Sequence, residues 1–111
     1  LFSIAVNRHP AVFGATTREK IKVSSKSQID HNASNTNDLA GKIPNLVASK
    51  TGYTDLAGGN LAMMINFPVS ELETRSVAIV VLGSTPESRF TDSYQLAEAA
   101  KEFLSTSEFI P

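Results

Sequence analysis

Residues 46–58 read LVASKTGYTDLAG, and this stretch decides the fold. Apolar and β-branched residues lead into Lys50-Thr51-Gly52, so residues 47–53 read as a strand. Side chains alternate along a strand, so Thr51 faces away from Lys50. An unpaired buried ammonium is costly, and Lys50 therefore needs a partner or a wet cleft. Gly52 weakens the strand but lets a second backbone or a ligand come close. A cation, a hydroxyl and a bare backbone position on one strand make an edge suited to a carboxylate. A peptide can add to such an edge as an extra strand. Taken alone, a K-T-G triplet is short enough to recur by chance, and a surface Lys beside a bulge Gly is the plain alternative.

Two more strands follow. Residues 58–67 form one, closed by Pro68, and a polar loop at 70–74 leads to another at 76–82, closed by Gly83. Residues 77–82 are apolar without a break, which predicts a strand covered on both faces. Tight connections make the three antiparallel. Thr85 is a suitable N-cap, with Pro86 at the first helical position and Glu87 in the first turn. Phe90, Tyr94, Ala97 and Leu104 then recur with helical period, with Leu96, Ala100 and Phe103 alongside, over about 18 residues.

Upstream, residues 1–8 read as the end of a helix stopped by Pro10, which biases His9 away from the helical region. One further turn at 10–13 ends at Gly14. Between 16 and 34, Ile21 and Val23 alternate with Lys20, Lys22 and Ser24, which predicts a half-exposed hairpin turning at 24–27. Residues 32–38 (NASNTND) are loop chemistry, and 39–44 form a connector. The class is α+β, with helices packed on a mainly antiparallel sheet.

Composition sets the outer bounds. The chain has 111 residues, enough for one domain. It is 41% hydrophobic and 19% charged, an ordinary globular balance. Ten basic against eleven acidic residues give a net charge of -1, so nothing drives it to nucleic acid or anionic lipid. The absence of Cys excludes disulfides, thiol catalysis and zinc ribbons. The longest apolar run falls far short of the roughly 20 residues that span a bilayer, so no membrane segment is expected. No signal peptide is read at the start. Leu1 already stands in a helical pattern, which suggests a processed chain or a piece of something longer.

Around the K-T-G triplet stand ordered companions: Asn35-Thr36-Asn37-Asp38-Leu39 upstream, VAIVVLG at 77–83 downstream, and Arg89-Phe90 opening the last helix. This set resembles the serine-type D-Ala-D-Ala carboxypeptidases, the low-molecular-mass penicillin-binding proteins. That family shows NTN-x-L, then KTG-x-T-x-x-AG, then a strand ending V-V-L-G and a helix opening R-F. The resemblance implies part of a β-lactamase/transpeptidase-like fold with its N-terminal half missing, residues 1–111 being the C-terminal part of the catalytic domain. Of the family's motifs S-x-x-K, S-x-N and K-T-G, only the third is present. No catalytic residue is therefore assigned.

By the same resemblance, Lys50 supplies positive potential and helps orient a terminal carboxylate, and Thr51 hydrogen-bonds that carboxylate. Gly52 lets substrate backbone run close, and Thr54 supports the loop. Arg89 reads as structural, in an ion pair near the helix start. The implied partners are a peptidoglycan stem peptide ending in D-Ala-D-Ala, β-lactams in the full enzyme, and the missing N-terminal part supplied as a separate chain. The implied place is the periplasm or the outer face of the bacterial cytoplasmic membrane. No cofactor and no metal are expected. The alternative reading is a non-catalytic peptide- or partner-binding module.

Other residues read plainly. Thr17-Arg18-Glu19-Lys20 has the spacing of the first motif with Thr in place of Ser, but it precedes a strand and does not open a buried helix. His9 and His31 lack metal-ligand spacing. Asn32-Ala33-Ser34 fits the glycosylation triplet, which is common. Met63-Met64 reads as core, and Asp55, Glu71 and Glu73 as solvated turn charges.

Overall fold

The computed structural model describes residues 1–106; residues 107–111 of the expected 1–111 unit lie outside the described residues. Strands β3 (Leu46–Thr54), β4 (Gly58–Pro68) and β5 (Thr74–Ser84) form an antiparallel sheet in the order β3-β4-β5. Strands β1 (Lys20–Ser24) and β2 (Asp30–Ser34) pair separately as an antiparallel ribbon. Helices α1 (Phe2–Arg8) and α2 (Pro10–Gly14) and a 3-10 turn at Ala15–Thr17 precede the ribbon, and α3 (Ser88–Ser105) follows β5. The expected α+β class and element order are observed. One boundary differs: residues 32–34, read as loop, end β2, because ladder pairing of Asn32 with Lys22 and Ser34 with Lys20 overrides their turn preference.

The sheet is packed on two sides. On one side Leu61, Met63 and Ile65 of β4 and Ile79 of β5 meet Ala97 of α3. On the other, Ala48 and Met64 meet Val6 of α1, flanked by Phe2, Phe13 and Val47. The Phe2 and Phe13 rings meet edge to face with centroids 5.9 Å apart. Met63 and Met64 are both buried although they face opposite sides, so β4 is the strand covered on both faces. The apolar run at 77–82 pointed to β5 for that place, and the structure corrects it. Val77, Ile79 and Val81 alternate with exposed Ala78, Val80 and Leu82, and β5 pairs with β4 alone among the described residues. Val80 is 50% and Leu82 76% exposed, so this face of β5 leaves apolar surface uncovered.

The last helix is also narrower in its contacts than its apolar residues suggest. Ser93 and Ala97 are its buried residues, while Tyr94, Leu96 and Phe103 are exposed. The Thr85 hydroxyl accepts the Ser88 N–H at 2.9 Å, which is the predicted capping bond. Regular helix begins only at Ser88, so Pro86 and Glu87 form the entering turn.

Candidate functional site

The site is built on the outer edge of β3. Register places Lys50 beside Ala62 and Val80 on the face opposite α3, and Thr51 beside Leu61 and Val81 on the α3 face. The two side chains therefore point to opposite faces, as alternation requires. Lys50 is exposed, and its ammonium donates to the Thr51 carbonyl. Its need for a partner is thus met by strand backbone and solvent.

One bond shows which way the strand's peptide groups point. The Ser49 N–H donates to Thr16 Oγ1 at 2.9 Å, away from β4, and Ser49 Oγ donates to the Thr16 carbonyl at 2.8 Å. Peptide groups in an antiparallel strand alternate sides, and the register runs without interruption from Ala48 to Thr54. The N–H and C=O of Thr51 and Tyr53 therefore face the same outer edge as those of Ser49. The 3-10 turn occupies that edge at Ser49 and leaves it open from Thr51 onward.

Residues from two distant segments close on this stretch of strand. The Thr36 hydroxyl is hydrogen-bonded to that of Thr51. Asn35, beside it, is fixed at the ribbon's base: its Nδ2 donates to the carbonyls of Thr16 and Arg18 at 2.8 and 2.9 Å. Buried Asn37 completes the turn, its Oδ1 accepting the Leu39 N–H at 3.0 Å. From the other side Arg89, at the start of α3, donates through Nη1 to the Gly52 carbonyl at 3.1 Å and lies over the Phe90 ring. The ion pair expected for Arg89 is replaced by this strand contact. Two cations, Lys50 and Arg89, and two hydroxyls, Thr36 and Thr51, thus surround one stretch of strand. A carboxylate accepts charge-assisted hydrogen bonds from such donors.

Gly52 has no internal reason to be glycine. A Cβ built there meets nothing nearer than Asn60 Cβ at 3.9 Å, an ordinary contact, and its φ is not positive. Its missing side chain leaves space on the strand that the described residues do not use. Thr54, by contrast, is used by the fold: its hydroxyl accepts the Ala57 N–H at 2.9 Å and shapes the turn into β4. Tyr53 donates to Asp55 at 2.9 Å within the same turn. Of the four residues singled out in the sequence, Lys50, Thr51 and Gly52 are consecutive on β3, and Thr54, two residues further on, serves the turn into β4. Thr36 and Arg89 were visible only as parts of the NTN and R-F strings, with no ligand role attached.

The remaining candidates stay apart from this edge. Thr17 donates to the Gly14 carbonyl at 2.8 Å and closes the 3-10 turn. Glu73 pairs with Arg75 at 2.7 Å. Among the described residues no group of three or more His, Asp or Glu side chains is arranged to hold a metal ion.

No family model and no curated protein sequence matches the chain. Solved structures do. Penicillin-binding protein D2 from Listeria monocytogenes, in its cefotaxime-bound form, superposes with a TM-score of 0.66 and 28% identity over 95% of this chain. Its ampicillin-bound form gives 0.65 and 31% identity over 86%. The chain is part of a penicillin-binding-protein fold. A mutant of the Streptomyces K15 DD-transpeptidase shares that fold at 16% identity, with a TM-score of 0.62 over 90% of the chain. The chain spans 37%, 36% and 38% of these three solved chains, which represent two proteins, so a partial penicillin-binding-protein domain is what the superpositions describe. The expected low-molecular-mass penicillin-binding-protein relationship stands, as does the expected fold class. No described helix is long and apolar enough to cross a membrane.

Proposed function

We propose that the chain supplies the substrate-binding strand of a peptidoglycan-processing D-alanyl-D-alanine carboxypeptidase, holding the C-terminal carboxylate of a stem peptide against β3. The observation that carries this reading is Gly52, bare without internal cause on an open edge between Lys50, Thr51 and the Arg89 guanidinium. Lys50 and Arg89 set the potential that attracts the carboxylate, and the bonded Thr36–Thr51 hydroxyl pair, in which one hydroxyl donates to the other, has one O–H left to donate to it. The outward peptide groups of Thr51 and Tyr53 pair with peptide backbone. An N–H aimed from this edge at a carbonyl also suits the charge that develops on acyl transfer. The same edge would receive β-lactams, as the neighbours crystallised with cefotaxime and ampicillin suggest. The nucleophile belongs to a partner segment carrying S-x-x-K, and the site of action is outside the cytoplasmic membrane.

A direct test titrates the 111-residue chain with an N-acetylated peptide ending in D-Ala-D-Ala and with its C-terminal amide. The amide N–H signals of Thr51, Gly52 and Tyr53 are followed by NMR. The acid should shift them and the amide should not, and Thr51→Val should weaken the acid about tenfold, as for loss of a charge-assisted hydrogen bond. Equal shifts from acid and amide would overturn the carboxylate role. The alternative, a binding module that takes part in no bond cleavage, is separated by adding a polypeptide that carries S-x-x-K and S-x-N. Under the carboxypeptidase reading a fluorescent penicillin labels that companion and never this chain, and Lys50→Ala slows the labelling. An unchanged rate favours the module.

A further inference from the structure

A cleft of about 250 Å³ lies between the β1–β2 ribbon and the 3-10 turn, with Ala15, Ile21 and Ala33 as apolar lining and Arg18 and Thr36 among its walls. Thr36 joins it to the candidate site, because the Thr36 hydroxyl is bonded to that of Thr51. Thr16, on the opposite wall, is bonded to Ser49 of the same strand. The cleft is therefore anchored to β3 at two points, and Asn35 holds the ribbon's base to Thr16 and Arg18. It opens beside the place where the proposed function puts the terminal carboxylate. Among the described residues no carboxylate lies in its lining. Glu19, next to Arg18, has its side chain beside Gly41, where a Cβ would clash with it, and Asp30 is paired with Lys22 at 3.0 Å.

We propose that this cleft is the subsite for the side chain of the terminal D-amino acid, and that it takes a branched aliphatic chain larger than methyl. The inference rests on the carboxylate reading: with the carboxylate at Thr51, the side chain on the adjoining carbon is the group nearest to Thr36 and the cleft. A methyl fills little of 250 Å³, and the apolar lining of Ala15, Ile21 and Ala33 offers burial to more carbons. Arg18 stands among the walls and adds positive potential near the carboxylate. Residues of the ribbon, which contribute little to the core, thereby decide which terminal residue is accepted.

The test compares peptides ending in D-Ala-D-Ala and D-Ala-D-Leu by NMR titration of the full chain. The D-Leu peptide should bind roughly tenfold more tightly, the range for added carbons in an apolar pocket. Its methyl groups should give nuclear Overhauser contacts to Ile21 and Ala33. Ala33→Leu should fill the cleft and abolish the preference for D-Leu over D-Ala. Ala33 is exposed and pairs with Ile21 across the ribbon, so Leu there is compatible with the strand. Ala15→Leu is the second variant, in case the first disturbs the ribbon. If both peptides bind equally to the native chain, or if neither filled variant changes the preference, the subsite is wrong while the carboxylate site stands. If neither peptide binds, the proposed function fails and takes the subsite with it.

Discussion

Two glycines of neighbouring strands carry opposite constraints. At Gly59 a Cβ would lie 2.2 Å from the Thr85 carbonyl oxygen, and backbone cannot yield as a side-chain end can. That contact presses β4 against the turn that enters α3 and so fixes where Arg89 starts. Gly59→Ala is expected to destabilise the chain by about 3 kcal/mol, the upper range of overpacking, read as a fall in the urea midpoint. At Gly52 a Cβ meets only ordinary contact, so Gly52→Ala should leave the midpoint unchanged or raise it, since Gly weakens a strand interior. The same substitution should cut binding of a D-Ala-D-Ala peptide at least about tenfold, by filling the space the ligand backbone needs. A midpoint loss at Gly52 matching that at Gly59 would show that Gly52 serves the fold and not a ligand. Lys50, Thr51 and Gly52 were legible in the sequence because they are consecutive on one strand. Thr36 and Arg89 were not, since they stand 15 and 37 residues from their strand partners.

At the scale of elements, α3 carries an uncompensated polar group. Ser93 is fully buried against the sheet, and its Oγ has no hydrogen-bond partner. Desolvating a hydroxyl without a partner costs about 1–3 kcal/mol, and Ala is also the better helix former. Ser93→Ala should therefore raise stability by about 1 kcal/mol, measured by thermal or urea unfolding; a loss of that size would contradict the missing partner. The ribbon shows a different kind of bond. Hydrogen bonding from Ser24, and then from Lys22, lowers the pKa of Asp30 from its ordinary value. A depressed carboxylate contributes stability that is present above the unfolded pKa and lost as pH falls through the folded one. The ribbon should loosen as pH drops below the usual Asp range, near about 4, seen as loss of shift dispersion at Ser25 and Ile29. Asp30→Asn should flatten that response; an unaltered profile would assign the pH dependence elsewhere. Period and capping made these elements readable in advance: the alternation of Ile21 and Val23 gave the ribbon, and Thr85 gave the start of α3. Burial was less readable. An apolar run does not say which of its faces will be covered, so the place covered on both faces was assigned to β5 when β4 holds it.

The whole molecule is open on one side. Its radius of gyration is 15.6 Å, where a compact chain of this length has about 13 Å. On β5, Ala78, Val80 and Leu82 form an apolar row beside a strand edge paired with nothing among the described residues. Long apolar edges template further strand pairing. The 111-residue chain should self-associate with concentration in sedimentation velocity, and Val80→Lys should suppress this without lowering the unfolding midpoint. Persistence of association in that variant would place the contact elsewhere. Lys50 shares its register row with Val80, so the uncovered face is also the face that carries the candidate site's lysine.

The sequence by itself determined the elements, their order, the strand that carries Lys-Thr-Gly and the absence of an S-x-x-K nucleophile motif. Those features depend on side-chain period, capping and turn chemistry within a few residues. Tertiary structure decided which strand lies between two packed faces, which edge of β3 is open, and which distant residues reach it. Arg89 arrives because Gly59 lets the Thr85 turn sit against β4, and Thr36 because Asn35 ties the ribbon's base to the 3-10 turn that Ser49 holds. Such convergence comes from close packing between segments far apart in the chain, and local pattern carries no record of it.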